Sequence, residues 1–475
     1  MSWLGIRAGL SSLDAYGVIH TVTKGSQTGD FAASRPPGHP LSEFWVLPAV
    51  ARTADQGGVL STETYAFYQM AGGFCCLGFF WLLLRELPLS PVRRLLAAAC
   101  FVFSPQFLIE SSDGEEFLWG TAFVLAMIFL MTRLSLGKMA RPLFGWCLAI
   151  VCAVAASGYR IEFGAIALGV VFWTLVMSDR NTAEKIGLGI FATVLLALLW
   201  GPLVFYQGAR APWDISLSLK LRLALGLYKI VFETLGVIPM TIFVVAFFMQ
   251  AKGSMRIVPP FGKDLLSYWL PWLIVIFFAV FFLYPMKPAV ILPAVAFLIL
   301  WAAVRMQPWL WACFVAGCMS TLLLQLDCFD NRAWVGLKWK PGLWEQALLS
   351  KPAFQGPKIA AVSRRAGEGR QVIIADLWPW ELTWQLAHGS WSGVALPDSI
   401  HKGWIMAYQV GPGIVVSRMS LENLSILKDY ARNGYEPCID QNLYREMFMR
   451  YRLNEPLPPT AVLEGLTFRI VDIQP

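Results

Sequence analysis

The chain has 475 residues and a mass of 53.0 kDa; 57% of the residues are hydrophobic, only 15% are charged, and the mean hydropathy is +0.56. A soluble chain carries about 25% charged residues, so the composition excludes both a disordered protein and an ordinary soluble enzyme and points to an integral membrane protein. The net charge of +7 arises from 38 basic and 31 acidic residues, and because most of the bases flank apolar runs they read as membrane topology, with no nucleic-acid partner.

Residues 1–62 come before the first long apolar run. They hold Leu13-Asp14-Ala15-Tyr16 and then Ser34-Arg35-Pro36-Pro37-Gly38-His39-Pro40-Leu41-Ser42-Glu43. The prolines and the glycine exclude one regular helix through the second stretch, so the backbone is bent there and presents Arg35, His39 and Glu43. A solvated loop with a few ion pairs accounts for the same residues equally well.

From residue 63 to residue 325 the chain reads as a membrane domain. Ten apolar stretches qualify as spans: 63–84, 95–110, 117–132, 142–157, 163–178, 187–206, 232–251, 267–283, 289–304 and 308–325. The loops after the odd-numbered stretches carry twelve bases: Arg85, Arg93, Arg94, Arg133, Lys138, Arg141, Arg180, Lys185, Lys252, Arg256, Lys263 and Arg305. The short loops between them carry six, namely Arg160, Arg210, Lys220, Arg222, Lys229 and Lys287. The positive-inside rule makes the first set cytoplasmic. The first 62 residues, the Asp113 loop, the Arg160 loop and the tail from residue 326 then share the outer side, where one site can form at the membrane boundary. An outside start requires either a span upstream of Met1 or a short N-terminus that is translocated without one.

The outer loops contain the remaining chemistry-bearing residues. Ser111-Ser112-Asp113-Gly114-Glu115-Glu116 lies between two apolar stretches, where carboxylates need partners. For Glu115 and Glu116 the N-terminal dipole of the next helix is a sufficient reason to be there, whereas Asp113 is equally open to a site role. Gly158-Tyr159-Arg160-Ile161-Glu162 and Tyr284-Pro285-Met286-Lys287-Pro288 each place a cation at a comparable depth. Such a cation can snorkel to the interface or bind phosphate.

The tail, 326–475, is polar and Trp-rich. Gln371–Ala375 and Gly413–Ser417 read as buried strands, and Pro379–His388 and Ser420–Asn433 as helices, which predicts a small α/β domain of one core. Seven of the nine cysteines lie in apolar runs; Cys328 and Cys438 lie in polar sequence, where a disulfide and two buried thiols are both open readings.

Three of these stretches resemble the polyprenyl-phosphate-sugar-dependent, multi-span C-type glycosyltransferases, the superfamily of protein O-mannosyltransferases and lipid A aminoarabinose transferases. They are Leu13-Asp14-x-Tyr16 followed by Arg35-Pro-Pro-Gly-His-Pro, Tyr284-Pro-Met-Lys287-Pro-Ala-Val-Ile-Leu-Pro293, and Ile374-Ala-Asp376-Leu-Trp-Pro-Trp380-Glu-Leu-Thr-Trp384 with Val394-Ala-Leu-Pro397. Two features depart from the pattern: the first cytoplasmic-start span is missing, and Ala15 stands where an acidic neighbour of Asp14 is customary.

The resemblance implies an α-helical polytopic membrane protein with a C-terminal extracytoplasmic α/β domain. It further implies transfer, with inversion, of a sugar from a polyprenyl-phosphate donor in the lipid bilayer to an acceptor hydroxyl on protein, lipid or glycan. On that reading Asp14 is the base and Asp113 a second carboxylate, while Arg35, Arg160 and Lys287 face the donor phosphate and His39, Glu43 and Tyr284 line the substrate. No cofactor is required, and a divalent metal is left open. The alternatives are a polyprenyl-linked polysaccharide polymerase or ligase and, from another class, a transporter, which would place ionisable residues near the bilayer midplane.

The orientation carries its own test. A membrane-impermeant thiol reagent applied to intact cells is expected to label Ser363→Cys in the tail and to miss Ser254→Cys among the cytoplasmic bases. The reverse pattern would place every proposed site residue in the cytoplasm.

Overall fold

The structure is a computed structural model that describes residues 13–28, 39–54, 60–113, 116–207, 219–250, 265–283, 288–330, 333–341, 367–376, 407–418, 424–440, 460–463 and 465–471, with a few single residues between them. It is mostly helical, with a small sheet region at the C-terminal end.

Near the N-terminus lie α1 (Leu13–Thr28) and, after a π-helical turn at Leu41–Val46, α2 (Leu47–Ala54). The helical body follows: α3 (Thr62–Glu86), α4 (Pro91–Val102), α5 (Pro105–Asp113), α6 (Phe117–Ser135), α7 (Pro142–Tyr159), α8 (Ile161–Met177) and α9 (Thr182–Gln207). It continues through α10 (Leu219–Tyr228), α11 (Val237–Gln250), α12 (Leu265–Leu283), α13 (Leu292–Arg305) and α14 (Pro308–Ser320).

Local chemistry sets several of the helix starts. Ser61 caps α3, its Oγ accepting from Thr64 N at 3.1 Å, and Ser90 caps α4 in the same way ahead of Pro91 in the first turn. The apolar stretch 95–110, expected as one span, is instead the two helices α4 and α5, broken at Phe103-Ser104. Pro105 has no N–H to continue the first helix, and Ser104 Oγ accepts from Phe107 N at 3.4 Å to start the second.

Among the described residues, four helices are long and apolar enough to cross a membrane: Glu63–Glu86, Phe117–Ser135, Pro142–Tyr159 and Thr182–Val204. A fifth candidate is the pair Arg222–Phe232 and Val237–Met249, bent by 102°. The bend contains a π-helical segment at Lys229–Thr234 and Gly236 at φ +91°, a backbone region that glycine enters without strain. Four more apolar helices, Ile161–Met177, Tyr268–Leu283, Ala289–Arg305 and Pro308–Ser320, are shorter. Hence the stretches expected at 163–178, 267–283, 289–304 and 308–325 exist as apolar helices of less than full span length.

Burial orders this body. Every residue of α13 from Leu292 to Ala303 is buried, so this helix, apolar all round, forms the centre and packs on α4, α6 and α12. The outer surface carries large exposed apolar side chains, among them Phe74, Val92, Phe144, Ile190, Leu198 and Phe248, which is the pattern of a surface meant for lipid.

The sheet region begins with the hairpin β1 (Leu324–Asp330) and β2 (Ala333–Pro341). A six-stranded mixed sheet follows, built from β3 (Val372–Asp376), β4 (Ala407–Gly411), β5 (Ile414–Arg418), β6 (Glu436–Asp440), β7 (Thr460–Leu463) and β8 (Leu466–Val471) in the order β4-β5-β3-β6-β8-β7. β5, β3, β6 and β8 are parallel, and the two edge strands run antiparallel to their neighbours. β3 is buried at all five positions, as expected of a central parallel strand covered on both faces. Ile373, Ala375, Val415 and Ile439 face α15 (Leu424–Arg432), while Ile374 and Val416 face the other way, on Leu382.

The strands expected at Gln371–Ala375 and Gly413–Ser417 and the helix expected at Ser420–Asn433 therefore appear as β3, β5 and α15. Most of Pro379–His388 and the side chain of Cys328 lie outside the described residues, and Cys438 is buried in β6.

The closest helix contact generates a test. α7 and α8 meet so tightly that a Cβ at Gly164 would sit 2.6 Å from the Ser157 backbone nitrogen, whereas one at Gly169 on the same helix meets nothing within 4 Å. Alanine in place of glycine favours a helix by up to about 1 kcal/mol, and overpacking against backbone costs about 1–3 kcal/mol. Gly164→Ala is thus expected to lower the thermal midpoint in detergent, and Gly169→Ala to hold or raise it. Equal midpoints would mean that the helices can separate freely there.

Candidate functional site

His39 is the first described residue after the Pro-rich stretch, and it is 3% exposed. Pro40 opens the turn that follows, in which Glu43 N donates to His39 O at 2.8 Å and the Glu43 carboxylate accepts from His39 N at 3.4 Å. These two bonds make Glu43 a reciprocal cap that fixes the start of the turn and buries its own charge at the same time.

The turn aims the His39 ring into the helical body. Nδ1 bonds to the carbonyl of Tyr159, the last residue of α7. A carbonyl only accepts, so Nδ1 carries the proton. Nε2 then faces Glu116 Oε2 at 3.9 Å. That separation is beyond hydrogen-bond reach, so the two side chains are neighbours whose interaction is favourable when the imidazole is charged. Glu116 is 1% exposed. An isolated carboxylate at that depth costs several kcal/mol, and here the Tyr65 hydroxyl supplies a donor to Oε1 at 3.2 Å.

An aromatic wall backs the pair. Tyr68 and Tyr159 share a hydroxyl hydrogen bond of 2.6 Å, Trp119 Nε1 donates to Tyr68 O at 3.0 Å, and the Tyr68 and Trp119 rings stack with centroids 5.2 Å apart. Beside it, the Arg160 guanidinium lies 4.0 Å above the ring of Phe117, the neighbour of Glu116, and Nε pairs with Glu162 Oε1 at 2.9 Å. A guanidinium held through Nε keeps Nη donors for an anion.

The structure thus brings His39 and Glu43 from one turn and Arg160 from the α7–α8 junction to one end of the helical body. Asp14 lies on α1 and Asp113 is the last residue of α5, but their side chains are outside the described residues, as are Arg35, Tyr284 and Lys287 altogether. Neighbouring Ala15 is buried with Val18 and Ile19 in a cluster that includes Tyr65 and Tyr408 of β4, so the first helices link the sheet to the site. No three His, Cys, Asp or Glu side chains form a metal-sized group among the described residues.

Sequence reasoning gave Glu116 to the dipole of the next helix, and it does stand at the N-cap of α6, where its side chain makes no cap bond. Its contacts with Tyr65 and His39 went unseen. The available signal was the spacing Tyr65, Tyr68, Gln69 in an otherwise apolar helix, which repeats polar groups on one face. Gln69 is 1% exposed, and neither of its amide atoms has a hydrogen-bond partner.

No family model matches the chain, and no curated protein or solved structure matches it.

The approach of His39 to Glu116 makes a measurable claim. In a double-mutant cycle of His39→Gln and Glu116→Gln, read by thermal or denaturant unfolding in detergent, the coupling is expected at about 0.5–3 kcal/mol. Losses that add to within about 0.3 kcal/mol would show that the two side chains do not act as a pair.

Proposed function

We propose that the chain is a membrane glycosyltransferase that moves a sugar, with inversion, from a polyprenyl-phosphate donor to an acceptor hydroxyl on the extracytoplasmic side. Carrying this reading is one observation: a buried carboxylate beside a histidine, Glu116 with His39, sits within one residue of a guanidinium, Arg160 over Phe117, at the end of an apolar helical body. Attack of a hydroxyl on an anomeric carbon needs a proton acceptor, departure of a lipid phosphate needs a cation, and a lipid-borne donor needs both at the membrane boundary.

On this reading the acceptor proton passes to a carboxylate as the new C–O bond forms, and the electrons of the old anomeric bond leave on the phosphate. Arg160 balances that charge, with Arg35 and Lys287 as its companions in the same outer loops. Asp14 is the base, and the Glu116–His39 pair, which can hold or release one proton without exposing a charge, sets the protonation of its surroundings. Asp113 is a second acceptor-positioning carboxylate, with a divalent metal left open there. Ten membrane crossings, a cytoplasmic basic end and a tail outside the cytoplasm belong to the same proposal.

Purified protein supplied with radiolabelled polyprenyl-phosphate sugar and an envelope acceptor fraction tests it. Label is expected to move to the acceptor, and Asp14→Asn is expected to cut turnover by about a hundredfold or more at equal yield of folded protein. Transfer within twofold of the parent would remove Asp14 from the role; no transfer from any polyprenyl-phosphate sugar by the parent would remove the function.

A further inference from the structure

At the end of the helical body opposite Glu116, α6, α7, α8 and α9 line an open cleft of about 540 Å³, a size common for small-molecule sites. Its apolar wall is formed by Met131, Leu134 and Trp146, and its polar wall includes Asp179, Arg180 and Glu184. The exposed apolar side chains of Leu143, Phe144, Val176 and Met177 adjoin the lining residues Pro142 and Ser178, so the rim continues into the lipid-facing surface.

The charges inside are not balanced. Arg180 Nη1 is bound to Glu184 Oε2 at 2.8 Å, which neutralises both. Lys185, the next cation along, donates to the carbonyls of Val176 at 2.9 Å and Ser178 at 2.8 Å and does not line the cleft. Asn181 Oδ1 accepts from Glu184 N at 2.8 Å as the cap of α9. What remains is the carboxylate of Asp179, for which the described residues provide no ion pair within 4.0 Å. The lining therefore carries one net negative charge at an end where Arg133, Lys138 and Arg141, of which the first two share Glu86, leave the surroundings basic. A ligand suited to it has an ammonium for the exposed Asp179 carboxylate, a phosphate for the basic rim and an alkyl chain for the apolar wall.

We propose that this cleft binds the headgroup and upper acyl chain of a bilayer phospholipid whose headgroup carries a primary ammonium. An ammonium with N–H donors can hydrogen-bond Asp179, a quaternary choline nitrogen has no N–H to give, and an anionic headgroup would add charge of the wrong sign. The site lies at the other end of the body from Glu116 and His39, and its test does not read sugar transfer, so it stands or falls apart from the proposed function.

Native mass spectrometry of the purified full chain, equilibrated with equal amounts of phosphatidylethanolamine, phosphatidylcholine and phosphatidylglycerol, reads the preference directly. Phosphatidylethanolamine is expected to be retained about threefold to fivefold over either competitor, the ratio that one solvent-exposed charge pair supplies. Asp179 is exposed and outside the packed core, so Asp179→Asn is expected to fold normally and bring the ratio over phosphatidylcholine close to one. Glu184→Gln, which frees Arg180, is expected to move the preference towards phosphatidylglycerol. Equal retention of the three lipids by the parent, or an unchanged preference in Asp179→Asn, would overturn the site. Displacement of the lipid by an equal concentration of chain-free glycerophosphoethanolamine would also overturn it, because the occupant would then be a soluble amine.

Discussion

A carboxylate in an apolar interior is tolerated only with donors around it, and Glu116 imposes that condition on the organisation of one whole end of this protein. The groups around it come from sequence positions far apart: the Tyr65 hydroxyl donates from the first turn of α3, and the His39 ring approaches to 3.9 Å from the bend after the Pro-rich stretch. His39 in turn ties to the C-terminal carbonyl of α7, which leaves a helix-end acceptor satisfied without water. This buried group thereby joins the entry of α3, the start of α6 and the end of α7, with the turn that begins at His39 set against them.

The opposite end follows a different rule. There the charges sit near solvent and pair locally: Glu86 with Lys138 at 2.5 Å and with Arg133 at 3.8 Å, and Arg180 with Glu184. Exposed pairs of this type contribute little to stability, about 0–1 kcal/mol each. Their value is in placing cations at the helix ends, which orients a membrane chain, whereas the buried end invests in a few fully partnered groups. Such an asymmetry, solvated charge at one end and buried charge at the other, is what a protein needs if chemistry is confined to one side of a membrane.

Much of the fold was legible in the sequence because its signals were long or strongly local. The apolar runs that became α3, α6, α7 and α9 hold enough residues to outvote any single position, and the strands β3 and β5 are short runs of Val and Ile bounded by polar residues. The break between α4 and α5 was missed because hydropathy averages over Ser104-Pro105, two residues whose backbone chemistry outweighs their polarity. Of the site, His39, Glu43 and Arg160 were legible as polar residues in bent loops, but the role of Glu43 as a cap for His39 is a matter of geometry. Glu116 was misjudged for a related reason: a helix N-terminus is a sufficient cause for an acidic residue, and only the fold shows that a second cause, a histidine seventy-seven positions away, acts on it as well.

The placement of Tyr408 extends the constraint to the C-terminal sheet. Among the described residues β4 is an edge strand that pairs with β5 alone, and Tyr408, opposite Val416 in register, lies 3% exposed among Ala15, Val18, Val22, Leu47 and Tyr65. An edge strand with a large aromatic residue is an association hazard if left open, and covering it with helices removes that hazard. Here the cover is α1 and α2, the elements that precede and follow the Pro-rich stretch and carry Asp14. Tyr65 belongs both to this apolar cluster and to the donor set of Glu116, so Tyr408, where the sheet meets the N-terminal helices, packs in the same cluster as a side chain that bonds the buried carboxylate.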